Sequence, residues 1–341
     1  MKTNAIKIAG YVIVIGIVLL IYFLTTGDET RNNKPASVPA IGLTDISDFK
    51  HRIEDTTKRN VPSDPKMMTG YGLRLYNWNG AFVPSPSVEP DKNNRLQLVV
   101  SLANATETDD KVGLLLFLDG KLQKYRVDSS KEDTYLYSQA MSAKSVLNVP
   151  ITLDAGTSPF SKRNLFIVMV NRMDEMPGDK LTHVDFFTLS MLKTVVSPAP
   201  AQNTETPAQP LAPVKPIPAS YTGSLDSGNV TVALVPEEAE ISFIQQPSLS
   251  LPAGKPSKLT LRGTGVPGRY ATILFRNHQP VFLQESGAEI YWEIKENEML
   301  DLPVTLPAED GPGKSQFYFI TVPLSDQFPV VVNSPKMKNE P

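Results

Sequence analysis

The sequence contains no cysteine. That excludes disulfide staples, thiolate metal sites and thiol nucleophiles together, so an exported domain built from this chain must be stabilised by core burial alone. Histidine is nearly as scarce, with His51, His183 and His278 as the full set. No two share a metal-ligand spacing, so no zinc site is expected. Positive charge is not in excess either. The chain carries 33 basic and 36 acidic residues, a formal net charge of −3. Nucleic-acid binding wants a basic face, and nucleic acid is not expected as a partner. No serine lies in G-x-S-x-G, so a nucleophile elbow is missing.

Two further motifs fail on context. GTGVPG (263–268) matches G-x-G-x-x-G in letters. A dinucleotide cradle needs a helix after the glycines, and here the strand-like run RYATILFR follows. Acidic clusters occur at Glu107, Asp109 and Asp110, at Asp174, Glu175 and Asp179, and at Glu237, Glu238 and Glu240. They sit in expected loops without the glycine and spacing of a calcium hand, and read as solvated loop charge. No enzymatic activity, cofactor or metal is expected.

What is present begins at the N-terminus. Lys2 and Lys7 precede IAGYVIVIGIVLLIYFLTTG (8–27), which carries no charge. A bilayer core about 30 Å thick needs about 20 apolar residues of helix, so 8–27 is expected to span a membrane. Tyr11, Tyr22 and Phe23 lie near its ends, where aromatic rings favour the interface. The lysines mark the inner side, so 1–7 is expected as a cytoplasmic stub and the bulk of the chain outside the cell. The apolar run is longer than a cleaved signal's h-region and no A-x-A site follows it, so it reads as an uncleaved signal-anchor. A mildly acidic, cysteine-free exterior fits a bacterial cell envelope.

Residues 28–67 form a polar stalk. Within it, 43–59 places Leu43, Ile46, Phe49 and Ile53 at near-helical spacing, which allows a short amphipathic helix. From 68 to 196 the pattern becomes short β-branched and aromatic runs between turn residues, as expected of an antiparallel sandwich. Asp119-Gly120 between two such runs is the signature of a two-residue type I′ hairpin. Seven prolines between 197 and 219 then exclude a helix or an interior strand, and 197–220 is read as a Pro-rich linker. Residues 221–333 return to short strands, and 334–341 is a polar tail.

The two strand-rich regions share blocks in the same order. LLLFLDGKLQKY (114–125) aligns with TILFRNHQPVFL (272–283), VPITL (149–153) with LPVTL (302–306), and RNLFIVMV (163–170) with SQFYFITV (315–322). The offset is nearly constant and only loops change length, which points to an internal duplication. On this alignment Asp119-Gly120 corresponds to Asn277-His278. Histidine tolerates positive φ less well than glycine, so the second hairpin is expected to have the looser turn. Pro150 and Pro303 correspond as well, and place an edge or a bulge in that strand.

The expected fold is all-β: two tandem, internally duplicated immunoglobulin-like β-sandwich domains behind a single N-terminal transmembrane helix. The layout resembles, in plan, surface proteins that carry immunoglobulin-like modules on a tether. It implies a non-enzymatic interaction or display protein, single-pass in the cell membrane through 8–27. The expected partner is an envelope protein or a cell-wall polymer, met through sheet edges or loop tips. An accessory subunit of a membrane complex and a cell-wall carbohydrate binder are the alternatives. For the last, Tyr71, Tyr76, Trp78 and Trp292 are the candidate binding residues, because exposed aromatic rings stack on sugars. The same residues also suit a sandwich core.

Overall fold

The computed structural model describes residues 70–78, 83, 87–127, 130–156, 163–175, 190–196, 211–218, 229–237, 248–251, 254–283, 287–308, 315–324, 331–333 and 337–340. The chain divides into two compact units, Met1–Gly42 and Leu43–Pro341. The expected span at 8–27 and the stalk at 28–67 lie outside the described residues. Among the described residues every regular element is a strand, and no helix there is long and apolar enough to cross a membrane.

The first sandwich holds β1 (Tyr71–Asn77), β2 (Ser87–Val88), β3 (Arg95–Asn104), β4 (Asp110–Leu118), β5 (Lys121–Leu122), β6 (Tyr125–Val127), β7 (Asp133–Thr134), β8 (Tyr137–Met141), β9 (Ser145–Asp154), β10 (Arg163–Val170) and β11 (Ser190–Val196). The second holds β12 (Val214–Pro216), β13 (Asn229–Pro236), β14 (Ser248–Ser250), β15 (Ser257–Thr264), β16 (Gly268–Arg276), β17 (Gln279–Val281), β18 (Glu289–Ile294), β19 (Glu298–Leu306), β20 (Gln316–Pro323), β21 (Val331–Asn333) and β22 (Met337–Glu340). Sheet I runs β1-β3-β9-β6-β7, and sheet II runs β2-β11-β10-β4-β5 with β8 also on β4. Sheet III runs β12-β19-β15-β13-β21, and sheet IV runs β14-β22-β20-β16-β17 with β18 also on β16.

The two sandwiches share this topology strand for strand through most of its length. They also share register. Leu118 faces Leu165 and Leu116 faces Ile167; at the aligned positions Arg276 faces Phe317 and Leu274 faces Phe319. The backbone amide of Asp119 donates to Asn164 O, as that of Asn277 does to Gln316 O. The turn side chains repeat the return bond, Asp119 Oδ1 accepting from Asn164 N and Asn277 Oδ1 from Gln316 N.

Alternation explains the inner cores. Leu96, Leu98, Val100 and Leu102 of β3 point to one side and meet Leu114, Leu116, Leu165 and Ile167 across the first sandwich. In the second, Leu259 and Leu261 meet Leu274, Phe317 and Phe319, with Trp292 fully buried among them.

Three segments differ from expectation. Residues 214–216 fall within the expected linker yet form β12 on β19. Backbone bonds pin both ends, Ala212 N to Tyr291 O at 2.6 Å and Ile217 N to Asn297 O at 2.8 Å. β12 is the edge of sheet III, where a proline costs no ladder bond. The expected polar tail likewise contributes β22, which pairs with β14 and β20. Finally, β9 and β19 are interior strands of their sheets. Their prolines are accommodated because the neighbour on the far side stops short: β6 pairs only with 151–153, and β12 only with 298–300.

Candidate interaction surfaces

Strands of a two-layer sandwich bury one face, yet β4, β10, β16 and β20 are buried on both. The second faces explain it. Leu115, Phe117, Phe166, Val168 and Val170 of sheet II join Ala271, Ile273, Phe275, Tyr318, Ile320 and Val322 of sheet IV in one buried cluster. The two sandwiches therefore pack sheet against sheet, in the layer order I, II, IV, III. At about 25 cal/mol per Å² of apolar area, a cluster this size is a strong cohesive term.

The contact is isologous within one chain. The tip of each β-hairpin docks on the other sandwich. A Cβ added to Gly120 would meet Leu324 Cδ2 at 2.5 Å and Ala271 Cβ at 2.7 Å. At the aligned tip, His278 Nε2 lies 2.9 Å from Met173 O. Met173 and Leu324 are themselves equivalent, since their amides donate to the aligned carbonyls of Lys111 and Arg269.

The second tip does not loosen as the sequence suggested. Asn277 and His278 both hold positive φ, 46° and 67°, against 52° and 79° for Asp119 and Gly120. The interface holds the histidine there. Its Nε2 lies 2.9 Å from Met173 O and 2.8 Å from Gln316 Nε2, and its Nδ1 lies 3.1 Å from the Tyr318 hydroxyl. Gln316 Nε2 donates to the same Met173 O at 2.9 Å. Across the other half, the Leu122 amide donates to Glu289 Oε1 at 3.0 Å. Burial pushes the Tyr318 and Tyr291 phenols well above the usual tyrosine range, so both stay neutral.

The four aromatic candidates do not form one surface. Trp292 is fully buried in the second core, its Nε1–H donating to Thr272 Oγ1 at 2.9 Å and its ring tilted against Tyr270. Tyr71 packs on the first core, and its hydroxyl donates to Asp110 Oδ2 at 2.5 Å. Burial, then that bond, pushes its phenol up to about 12. Tyr76 and Trp78 do come together, on the outer face of sheet I against Val99. Tyr76 is only 1% exposed, so its ring is closed to a sugar.

Loop charge is tied locally. Lys144 pairs with Glu107, Lys111 with Asp174 and Arg172 with Glu175; Asp109 accepts from Ala143 N. Among the described residues no group of His, Asp or Glu is arranged to hold a metal ion. GTGVPG links β15 to β16, with Gly263 packed against Trp292 and Leu300.

Ala105 N donates to Gly70 O, so Gly70, Gly72, Arg74 and Tyr76 turn their backbone groups toward β3. Tyr71 and Leu73 turn theirs outward. At the aligned stretch of the second sandwich, Asn229–Thr231 of β13, the outward edge is closed by parallel β21. Among the described residues β1 pairs with β3 alone.

No known protein family matches the chain, and no curated protein matches it by sequence. Among solved structures it is similar to the CsuC–CsuE chaperone–tip adhesion subunit pre-assembly complex of Acinetobacter baumannii Csu pili, at 11% identity over 79% of this chain and 98% of that one, TM-score 0.22. It is also similar to the periplasmic chaperone SfaE, at 13% identity over 73% and 92%, TM-score 0.22. A PapD-like domain of human CEP192 shows 14% identity over 43% and 93%, TM-score 0.21. Overlap at these scores carries no argument about function.

Proposed function

We propose that the chain is a non-enzymatic, membrane-anchored interaction protein of a bacterial envelope. Residues 8–27 hold it in the membrane, and the paired sandwiches outside bind an envelope protein. The two domains arose by duplication, which the shared topology, register and turn bonds support. The outward side of β1 at Tyr71 and Leu73, which no described strand pairs, carries the binding reading. Unpaired strand N–H and C=O groups recruit an extended partner segment, and Tyr71 and Leu73 present them where the sister domain has already closed its edge.

Leu73→Pro tests this. It removes one outward N–H and no bond to β3. Detergent-solubilised envelopes passed over the immobilised full chain should leave a protein on the wild type that the folded variant fails to retain. Equal retention by both would refute the edge. Retention of wall polymer instead of protein would favour the carbohydrate reading.

A further inference from the structure

In the second sandwich one short segment, 211–217, closes a side of the fold by bridging its two sheets. Ala212 N donates to Tyr291 O of β18 in sheet IV, and Val214–Pro216 then pair with β19 in sheet III. Ala212 and Val214 pack on the core, while Lys215 turns outward to the Asp301 carboxylate. Beside this segment Trp292, Met299 and Leu300 are fully buried.

The first sandwich has the same two edges and no such segment. Ser138 of β8 faces Gly113 as Tyr291 faces Ala271 at the aligned position. On the alignment of VPITL with LPVTL, Val146 of β9 stands where Met299 does. In this register Ser138 and Ala140 turn their backbone N–H and C=O groups away from β4, and Val146 turns its own away from β3. Among the described residues β8 pairs with β4 alone, and β6 reaches β9 only at 151–153. The burial pattern agrees. Ser138, Gln139 and Ala140 are exposed, and Val146 is 51% exposed where Met299 is 0%. Tyr137 and Leu147, which pack on the core from these two edges, are only partly buried. A free acceptor lies beside them. Asn148 aligns with Asp301, and its Oδ1 is buried without a hydrogen-bond donor. In the second sandwich the seated Lys215 supplies the donor at that position.

We propose that the β8–β9 edge of the first sandwich is a docking site for an extended segment of another polypeptide chain, with the chemistry that 211–217 shows on the second. A small residue gives its N–H to Ser138 O. A β-branched residue two places on packs beside Leu147. The next residue carries a side-chain donor for Asn148 Oδ1. A proline can follow it, as Pro216 does, because that nitrogen faces away from the ladder. The segment adds antiparallel to β9, and its main chain supplies the affinity while the alternate side chains supply the specificity. β9 lies on the far side of β3 from β1, so this site is separate from the β1 edge and does not depend on it.

The probe is the peptide PLAPVKPIPA (210–219), labelled with fluorescein at its N-terminus and added to the full chain in detergent. Fluorescence anisotropy should rise to saturation. Val146→Pro removes one outward N–H and no bond to β3, and should weaken binding about tenfold or more. Leu73→Pro, at the β1 edge, should leave it unchanged. With the protein itself unaltered, the same peptide N-methylated at Lys215 should not bind, which separates a lost ladder bond from a misfolded variant. No binding to the wild-type chain, or equal binding of the N-methylated peptide, would overturn the proposal. Binding that survives Val146→Pro would place the peptide on the second sandwich, in exchange for the chain's own 211–217, and would overturn it too.

Discussion

Gly120→Ala separates a coupled pair of sandwiches from two independent ones. The residue sits at φ 79°, and the new Cβ would lie 2.5 Å from Leu324 Cδ2 and 2.7 Å from Ala271 Cβ. A side chain in the left-handed region costs about 1–2 kcal/mol, and that strain stays in the β4–β5 turn. Overpacking costs about 1–3 kcal/mol more and falls on the contact with the second sandwich. The total is about 2–5 kcal/mol. The chain has only two tryptophans, so a Trp78→Phe background leaves Trp292 as the sole reporter, fully buried in the second core. If the sandwiches unfold as one unit, the urea transition seen by Trp292 should lose the full 2–5 kcal/mol at an unchanged m-value, although the substitution lies in the first sandwich. A Trp292 transition displaced by less than about 0.5 kcal/mol, with an earlier separate phase in circular dichroism, would refute the coupling.

Three other outcomes follow from single contacts. Thr272→Val strands the Trp292 indole N–H and the Thr321 hydroxyl, which lies 2.8 Å from Thr272 Oγ1; denaturant titration should show a loss of about 1–3 kcal/mol. Asp301→Asn removes the carboxylate that Arg262, 2.9 Å away, shares with Lys215; losing this charge-assisted bond should cost about 1.5–3 kcal/mol, read as a fall in melting temperature. Tyr71 titrates near 12 when folded and at the ordinary 10.0 when unfolded. The unfolded chain then loses its proton first, so this contribution is complete below pH 10 and declines as pH rises toward 12. Tyr71→Phe should remove that part of the alkaline decline in thermal stability; an unchanged alkaline limb would contradict it.

Much of the fold is legible in the residues. The β4–β5 turn follows from Asp119-Gly120, and the alternation of Val149, Ile151 and Leu153 predicts the inner face of β9. The aligned blocks VPITL and LPVTL occupy equivalent strands in equivalent register. What the alternation argument passed over is the second buried face. LLLFL, LFIVMV and FYFITV have almost no polar residue on either side, and continuous apolar runs mark strands covered on both faces. That signal was in the sequence and marks these strands as covered on both faces, while which sheet covers which is tertiary. The prolines between 197 and 219 argued for separated bodies, but composition cannot register that 214–216 find an edge to pair with. His278 was illegible for a related reason. Local turn preference disfavours it, and contact with Met173 across the interface and with Tyr318 of its own sheet explains its geometry. Of the four aromatic candidates, local sequence could not tell Trp292 in a core from Trp78 on a face. Both stand in strand-like runs, and their difference is tertiary.

The central claim is that the two sandwiches form one body through sheets II and IV rather than two beads on a spacer. Its most direct test is to insert a protease site between Asn203 and Thr206, cleave the purified full chain completely, and run the product on gel filtration in detergent. The account predicts that the two fragments co-elute at the position of the uncut chain, and that a Phe275→Asp substitution in the contact releases them. Separation of the unsubstituted fragments on cleavage would contradict it.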